Sequence, residues 1–384
     1  MNPGELLVRL FIVALLCARA SATAADCGSI RGPAALIQTN AGSADLFVTP
    51  FGRDNNPGTP EAPLRTIERA AQMARPGTTV HVGAGTYPAG IRTKVSGTGT
   101  ARIVFVASTR WRAVLVPPDT SKTGIAWENL GDHVDIDGFE VDGSKYRGGI
   151  RWRIGIYNGG SDDAIRNNHV HHVATTIPCT SAGGAGIVVD SFYRGAGSEV
   201  VGNRVHDVGR TNCRFIHGIY ISTSARVAEN VVYRIGEAAI HLWHDAHDVI
   251  VSNNTVTSSN TGIVVGGGDF YHTAGPNDRT HVYNNIVYDN QYGIYEYGAT
   301  GRNNTYRNNL VFQNKGADWR LLNGLVHTET VTADPQFVGY TRTGTPDFRL
   351  RASSPALRNG IGSLAQHPDE PKRRPDMASA GCAR

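Results

Sequence analysis

The amino-acid sequence predicts an all-β solenoid, one chain coiling through short strands that stack rung upon rung. Two observations carry that expectation. Six segments share the pattern Asn-x-Val: Asn168-His169-Val170, Asn203-Arg204-Val205, Asn230-Val231-Val232, Asn254-Thr255-Val256, Asn285-Ile286-Val287 and Asn309-Leu310-Val311. Interleaved with them, a second short strand begins with Gly-Ile or a near variant: Gly155-Ile156, Gly186-Ile187, Gly218-Ile219, Ala239-Ile240, Gly262-Ile263 and Gly293-Ile294. The Asn-to-Asn steps are 35, 27, 24, 31 and 24 residues, which fits a coil of roughly 22–24 residues that takes insertions at particular rungs. Strands this short cannot bury a face alone and must stack on their neighbours.

Along the chain, residues 1–25 read as a cleaved secretory signal peptide: Arg9, an apolar run from Leu10 to Cys17, then small residues with an Ala22-Thr23-Ala24 cleavage pattern. Leu16 precedes Cys17, so the small residue of a lipoprotein site is missing. Elsewhere no apolar run approaches the roughly 20 residues that span a bilayer. The expected product is exported, secreted or periplasmic, and monomeric. Residues 26–45 form a small, polar lead-in. A strand is expected at Leu46–Pro50, then a turn-rich stretch, then one amphipathic helix over Leu64–Arg75 with Thr66 as N-cap. Pro76-Gly77 ends it. Residues 46–358 are expected to form one β-helix, and residues 359–384 a C-terminal tail.

At Phe47–Tyr87 the run FVTPFGRDNNPGTPEAPLRTIERAAQMARPGTTVHVGAGTY resembles the N-terminal cap of right-handed parallel β-helix proteins of the pectate-lyase-like superfamily. The resemblance extends through the repeats to Ala333–Leu357, which is similar to that superfamily's closing segment. It implies a single-stranded right-handed parallel β-helix whose N-terminal α-helix plugs the open end. The superfamily includes polysaccharide lyases, glycoside hydrolases, carbohydrate epimerases, esterases and non-catalytic surface proteins. Function therefore has to come from a site.

The formal net charge is +4, about +3 once Glu5, Arg9 and Arg19 leave with the signal peptide. That suits an acidic polymer without demanding one. Nucleic acid would call for a concentrated basic stripe, and none is present. Setting Cys17 aside leaves four cysteines, an even number for an oxidising compartment. Cys179 and Cys213 lie eight residues before Ile187 and six before Ile219, on insertions of neighbouring rungs about 4.8 Å apart. Those two should pair; Cys27 and Cys382 then pair by elimination. Metal ligation by the four is the weaker reading, because no C-x-x-C spacing occurs.

The coil can be searched column by column. Its interior should hold the Val of each Asn-x-Val, the Ile of each Gly-Ile and the residue two beyond that Ile. The asparagines should stack at a corner as scaffold. On the Gly-Ile sheet, one outward column reads Tyr157, Val188, Tyr220, His241, Val264, Tyr295, and the next Gly159, Asp190, Ser222, Trp243, Gly266, Tyr297. Asp190, Tyr220, His241 and Trp243 thus share one face on three consecutive rungs, followed by His244 and Asp245 where the strand turns. The insertions Thr175–Ala185, Gly209–Ile216 and Gly267–His281 border the same rungs and would wall a cleft. Strict alternation puts Glu296 inside, so either a bulge re-aims it or Tyr295 and Tyr297 turn inward instead; it is not expected to be a catalyst.

Eight histidines, His169, His171, His172, His206, His217, His241, His244 and His247, fall within this region. Most read as stacked or solvated strand positions. So imidazole-rich a cluster admits a zinc site, although i, i+3 spacing carries little weight on a strand.

A β-eliminating lyase must neutralise a uronate carboxylate, take the C5 proton and protonate the leaving oxygen. Tyr220 and His241 would serve as base and acid, with Asp190, His244 and Asp245 beside them. Arg214 or Arg153 would bind the carboxylate, and Trp243, Tyr157 and Tyr295 would contact the sugar rings. An inverting glycosidase would instead need two carboxyl groups about 6.5–9.5 Å apart, with Asp190, Glu237 and Asp245 as candidates. The stretch IHLWHDAHDVIVSNNTV (Ile240–Val256) is similar to the catalytic segment of secreted alginate C5-epimerases, although Leu242-Trp243 stands where their Asp-Pro is expected. No cofactor is firmly implied. Ca²⁺, which related pectate lyases use, would fall to Asp132, Asp135, Asp137 and Asp142, although alternation makes Asp135 and Asp137 ordinary outward positions. The reading chosen is an exported enzyme acting on a polysaccharide, a lyase on a uronate-containing glycan. A glycoside hydrolase, an epimerase and a non-catalytic carbohydrate-binding β-helix are the alternatives.

Overall fold

At the two corners that flank the Asn-x-Val strands a residue in the left-handed region makes the turn, and these residues fall in columns. Asn167 (φ 53°), Gly202 (68°), Glu229 (61°), Asn253 (56°), Asn284 (59°) and Asn308 (52°) immediately precede the Asn of each Asn-x-Val. His172 (φ 55°), Asp207 (53°), Arg234 (56°), Ser258 (54°), Asp289 (54°) and Gln313 (56°) end the same strands. Between the corners run three parallel sheets. Sheet I has 11 strands, from Asp45–Val48 to His327–Thr328. Sheet II has 9, from Gly85–Pro88 to Leu310–Phe312, and contains the Asn-x-Val strands. Sheet III has 9, from Ile91–Thr93 to Ala317–Arg320, and contains the Gly-Ile strands. The chain is a parallel β-helix. This computed structural model describes residues 45–180 and 183–357; the signal peptide, Cys27, Cys382 and the tail lie outside them.

The core is the one expected from the columns. Val170, Val205, Val232, Val256, Val287 and Val311 are fully buried, as are Ile156, Ile187, Ile219, Ile240, Ile263 and Ile294. Each such side chain stabilises the fold by roughly 1.5–3 kcal/mol relative to exposure. At the corner, Asn168, Asn203, Asn230, Asn254, Asn285 and Asn309 are buried in a continuous ladder. Each of the first five donates its side-chain amide to the carboxamide oxygen of the next at 2.9–3.2 Å. The backbone N–H of each donates to the same oxygen. A single carboxamide therefore satisfies two donors of the rung before it and is itself satisfied by the next.

Two details depart from expectation. The helix is Ile67–Met73, shorter than Leu64–Arg75, because Leu64 is drawn into a bridge with Val48 of the first strand. Thr66 is its N-cap, accepting from the Arg69 N–H at 3.2 Å. Ile67 and Ala70 are buried, and the helix packs on Asp45–Val48 and Ile91–Thr93, the first strands of sheets I and III. Glu296 does point into the coil, and neither a bulge nor an inward turn of Tyr295 and Tyr297 is used to avoid it. Its carboxylate accepts from the Tyr306 hydroxyl (2.8 Å), the Asn304 amide (3.1 Å) and the Leu322 N–H (2.7 Å). Three donors answer the desolvation that made its burial look costly.

Cys179 and Cys213 form a disulfide between the two neighbouring insertions, as their rung positions implied. The closing segment folds into an antiparallel pair, Phe337–Gly339 with Asp347–Leu350, packed through Phe337 and Phe348 onto Tyr233 and Tyr288 of sheet II. Among the described residues no helix is long and apolar enough to cross a membrane.

Candidate functional site on sheet III

The registers of sheet III place Tyr157, Val188, Tyr220, His241, Val264 and Tyr295 in one continuous column. Tyr220 and His241 are direct partners on adjacent strands, with ring centroids 5.4 Å apart. The column begins on an apolar floor formed by Tyr157, Ala185 and Val188, against which Tyr220 packs.

His217 belongs to this face too, and alternation from Ile219 would have turned it inward. The reason it does not is Gly218. A Cβ there would come 2.6 Å from Cγ1 of buried Val232 and 2.5 Å from the Ala239 carbonyl, so Gly218 faces the core beside Ile219. Two consecutive inward residues interrupt the alternation and return His217 to the outer side. Its ring stacks on Tyr220 (5.2 Å, 27°) and meets His241 edge-on (4.2 Å, 87°), with the two Nδ1 atoms 3.0 Å apart. The signal was present in the column Gly155, Gly186, Gly218, Ala239, Gly262 and Gly293, where only very small residues occur. A column without side chains on a strand marks contact with a wall.

Burial sets the protonation of this trio. It drives His217 well below the usual imidazole range, with the His241 charge adding to the effect. It holds His241 down to about 3, assisted by His244. Burial also pushes the Tyr220 phenol far up, reinforced by Tyr271, Asp190 and Asp269. The resting site is therefore two neutral imidazoles against a protonated phenol. Nε2 of His241 is enclosed without a hydrogen-bond partner.

Asp190 accepts from the Tyr157 hydroxyl (2.9 Å), the Ser222 hydroxyl (2.5 Å) and the Phe192 N–H (3.3 Å). Asp245 is more heavily committed. It accepts from the N–H groups of Tyr271, His272 and Thr273, the Thr273 hydroxyl and the Ser191 hydroxyl, all at 2.8–3.2 Å. Burial alone would raise its pKa, but the bonds from Thr273, His272 and Ser191 outweigh it and keep the carboxyl below its ordinary range. Asp245 thus fastens the Gly267–His281 insertion to the end of the strand. That insertion delivers Asp269 and Tyr271: Asp269 O and the Tyr271 hydroxyl both lie 2.8 Å from ring nitrogens of His244. Tyr271 also stacks on the His244 ring at 4.0 Å, and burial pushes its phenol up to about 12.

Trp243 lies over Gly266 and Gly268, where any Cβ would come within 2.8 Å of the indole, and stacks on Tyr297 at 5.6 Å. Phe192 (58% exposed), Tyr193 (50%), Tyr271 (42%) and Tyr297 (48%) present further rings to solvent. Tyr157 is nearly buried beneath Tyr193, and Tyr295 pairs with Tyr292. The two predicted arginines stand where the strands begin. Arg153 donates to the Gly183 carbonyl at 3.0 Å, and Arg214 lies over Phe215 and acts electrostatically on Glu237. Glu237 itself accepts from Asn260 at 2.8 Å.

The aspartates considered for Ca²⁺ do not converge. Asp135 is engaged by Arg102 and Arg166, Asp137 accepts from Asn167, Asp132 accepts from the Ser161 N–H, and Asp142 belongs to a different sheet. Neutralised or dispersed carboxylates do not fit a hard cation that needs six to eight oxygens. Among the described residues, two groups of side chains could hold a metal, both built around His171 on sheet II.

Residues 46–193 match a family model described as Pel9A-like, right handed beta helix region, and residues 154–329 match another described as right handed beta helix region. An uncharacterized protein of Bacillus subtilis is 32% identical over 142 residues, 35% of this chain and 30% of that protein. A pectate lyase of Emericella nidulans is 36% identical over 64 residues, 17% of this chain and 16% of that protein. The match spans less than a third of the length of either curated relative. The solved structure of pectate lyase Pel9A superimposes with a TM-score of 0.56 at 17% identity, covering 88% of this chain and 96% of that one. That last likeness is one of fold.

Proposed function

For a chain that is a right-handed parallel β-helix protein of the pectate-lyase-like superfamily, we propose a secreted enzyme that cleaves a uronate-containing polysaccharide by β-elimination on the sheet III face. The carrying observation is the contrast between occupied carboxylates and free proton-transfer groups. Asp190, Asp245 and Glu237 are each held by protein donors, which disfavours a hydrolase needing one carboxylic acid and one carboxylate poised over a water. Tyr220, His217 and His241 instead form a compact neutral cluster with an unpartnered imidazole nitrogen.

The directions of the pKa shifts reverse the roles first assigned to the pair. A phenol held protonated is the acid, and an imidazole held neutral is the base. Once bound substrate displaces the side chains that enclose it in the resting protein, His241 Nε2 takes the C5 proton while its Nδ1–H donates to His217. The electron pair released at C5 forms the C4–C5 double bond, the C4–O4 bond breaks, and the Tyr220 hydroxyl protonates the departing oxygen. Exposed Phe192, Tyr193, Tyr271 and Tyr297, with Trp243, supply flat apolar surfaces for sugar rings. Arg153 and Arg214, at the beginnings of their strands, are the cations for the acidic groups of the polymer. Asp245 becomes a positioning residue for the cleft wall. Export agrees with the Cys179–Cys213 disulfide, a feature of oxidising compartments.

Incubating the purified protein with a panel of acidic and neutral polysaccharides tests this directly. Elimination generates an unsaturated uronate absorbing in the ultraviolet together with new reducing ends. Reducing ends without the absorbance would establish hydrolysis and reject the reading, as would neither product from any acidic polymer.

A further inference from the structure

Sheet II carries a second cluster that the proposed elimination does not use. Its strand His169–His171 presents H-x-H, and the strand below it, Glu140–Asp142, presents E-x-D in register: His169 opposite Glu140, Val170 opposite Val141, His171 opposite Asp142. Val141 and Val170 are buried in the core, so all four polar side chains stand on the outer face. Strand geometry then places them at the corners of a rectangle about 4.8 Å by roughly 6.7 Å. His206 continues the His171 column on the next rung, and His172 joins from the corner because its left-handed backbone (φ 55°) swings it beside His171.

We propose that Glu140, His169 and His171 form a binding site for a divalent transition-metal ion of the zinc class. A carboxylate oxygen of Glu140 and one nitrogen from each imidazole lie within 4.8 Å of one another. Nε2 of His171 is 2.9 Å from Glu140 Oε1, and Nδ1 of His169 is 3.9 Å from the same oxygen. In a tetrahedral zinc site with bonds near 2.0–2.1 Å, ligand atoms stand roughly 3.3 Å apart, so small rotations of these side chains suffice. Two imidazoles and one carboxylate suit zinc, cobalt, nickel or copper rather than calcium or magnesium.

The surroundings complete the arrangement. Asp142 Oδ1 lies 3.6 Å from Nδ1 of His171, the nitrogen that does not face Glu140, and His172 Nδ1 lies 2.7 Å from it. Carboxylates and ring nitrogens in that position orient a ligating imidazole. His206 Nε2 is 2.7 Å from His169 Nε2, and its own Nδ1 is fixed by Asp207 at 2.6 Å, which Arg234 holds in turn at 2.7 Å. Both the His169–His206 and the His171–His172 contacts are made by the ring nitrogen that does not face Glu140, so an N–H···N hydrogen bond holds each ligating imidazole from behind. Trp111 covers one side of His169 at 4.9 Å. Exposed His172 and half-buried Asp207, which contact His171 and His206, line a cavity of about 780 Å³.

The test uses the tag-free full chain, stripped with a chelator and titrated calorimetrically with Zn²⁺, with Co²⁺ absorption as a second readout. One Zn²⁺ per chain and a Co²⁺ spectrum of nitrogen–oxygen ligation are expected. His171→Ala should abolish both, and Asp142→Asn should weaken binding about 10–100-fold. Should His171→Ala fail to fold, Glu140→Gln, which keeps shape and hydrogen bonding, decides the matter by a greater loss than Asp142→Asn. Absence of stoichiometric uptake by the wild-type chain, or unchanged affinity in Glu140→Gln, overturns the site and leaves a hydrogen-bonded cluster that binds no ion.

Discussion

Nδ1 of His217 lies 3.0 Å from Nδ1 of His241, so one proton serves two imidazoles and the tautomer of one fixes that of the other. When His241 holds the shared proton, its Nε2 is a free lone pair directed from a site that burial keeps neutral. His217 thereby acts through His241 as a positioning residue.

His217→Ala should lower kcat by about 10–100-fold with little change in KM, a loss smaller than removing a general acid or base outright. A structural role alone would leave the pH profile where it is. His241 stands depressed to about 3, so the wild-type rate should be flat from that value upward on its acid side. Removing His217 admits water beside His241, relieves desolvation and shifts the acid limb of kcat/KM upward toward the ordinary imidazole value near 6.5. An unmoved acid limb would show that His217 does not tune His241.

Tyr220→Phe and His241→Ala should each reduce elimination by roughly 10²–10⁴-fold. Tyr220→Phe removes one hydroxyl and keeps the ring contacts with His217 and His241 at 5.2 and 5.4 Å, so far-ultraviolet circular dichroism should stay unchanged. Full activity in both variants would remove the site from sheet III.

Stability rests elsewhere, on the asparagine corner. The Asn230 oxygen accepts from the backbone and side chain of Asn203 at 2.9 and 3.0 Å, and its amide donates to Val200 O and Asn254 Oδ1 at 2.8 and 2.9 Å. Asn230→Ala strands the buried backbone N–H of Asn203 and leaves its side-chain amide only Ile165 O (2.9 Å) and Val201 O (3.3 Å), and each buried group left unpaired costs about 1–3 kcal/mol. Chemical denaturation should show a loss of about 2–5 kcal/mol with the sheet III chemistry intact at low temperature. A loss under about 1 kcal/mol would mean that water replaces the missing amide.

The fold was legible because its two repeating strands place Val170, Ile187 and their equivalents at a period that only stacking can bury. The outward column through Tyr220 and His241 followed from the same period. What the period could not reveal was its own interruption. Gly218 turns inward beside Ile219, and that one irregularity brings His217 to the working face. Asp245 was misleading for a related reason, since the donors that occupy it come from Tyr271, His272 and Thr273, 26 to 28 residues away on an insertion without periodicity. The E-x-D beside H-x-H on sheet II needed the register of adjacent rungs, and the variable insertions hide that register from spacing alone.

Asp245 makes the cleft wall conditional on pH. The hydrogen bonds from Thr273, His272 and Ser191 exceed the opposing effect of burial and depress its folded pKa. A depressed carboxyl contributes stability that is fully present above its unfolded value, roughly 3.9, and is lost as pH falls through the lower folded value. The wall should therefore be fastened throughout neutral and mildly acidic conditions and release only in strong acid. Asp245→Ala removes the acceptor for all of these donors, and Asp245→Asn removes the charge while supplying donors where acceptors are needed. Both should free the Gly267–His281 insertion, withdrawing Tyr271 from His244. Limited proteolysis at pH 7 should cut either variant within this insertion while the wild type resists, and KM should rise more than kcat falls. A drop in kcat with KM and protease resistance unchanged would instead return Asp245 to the chemical step.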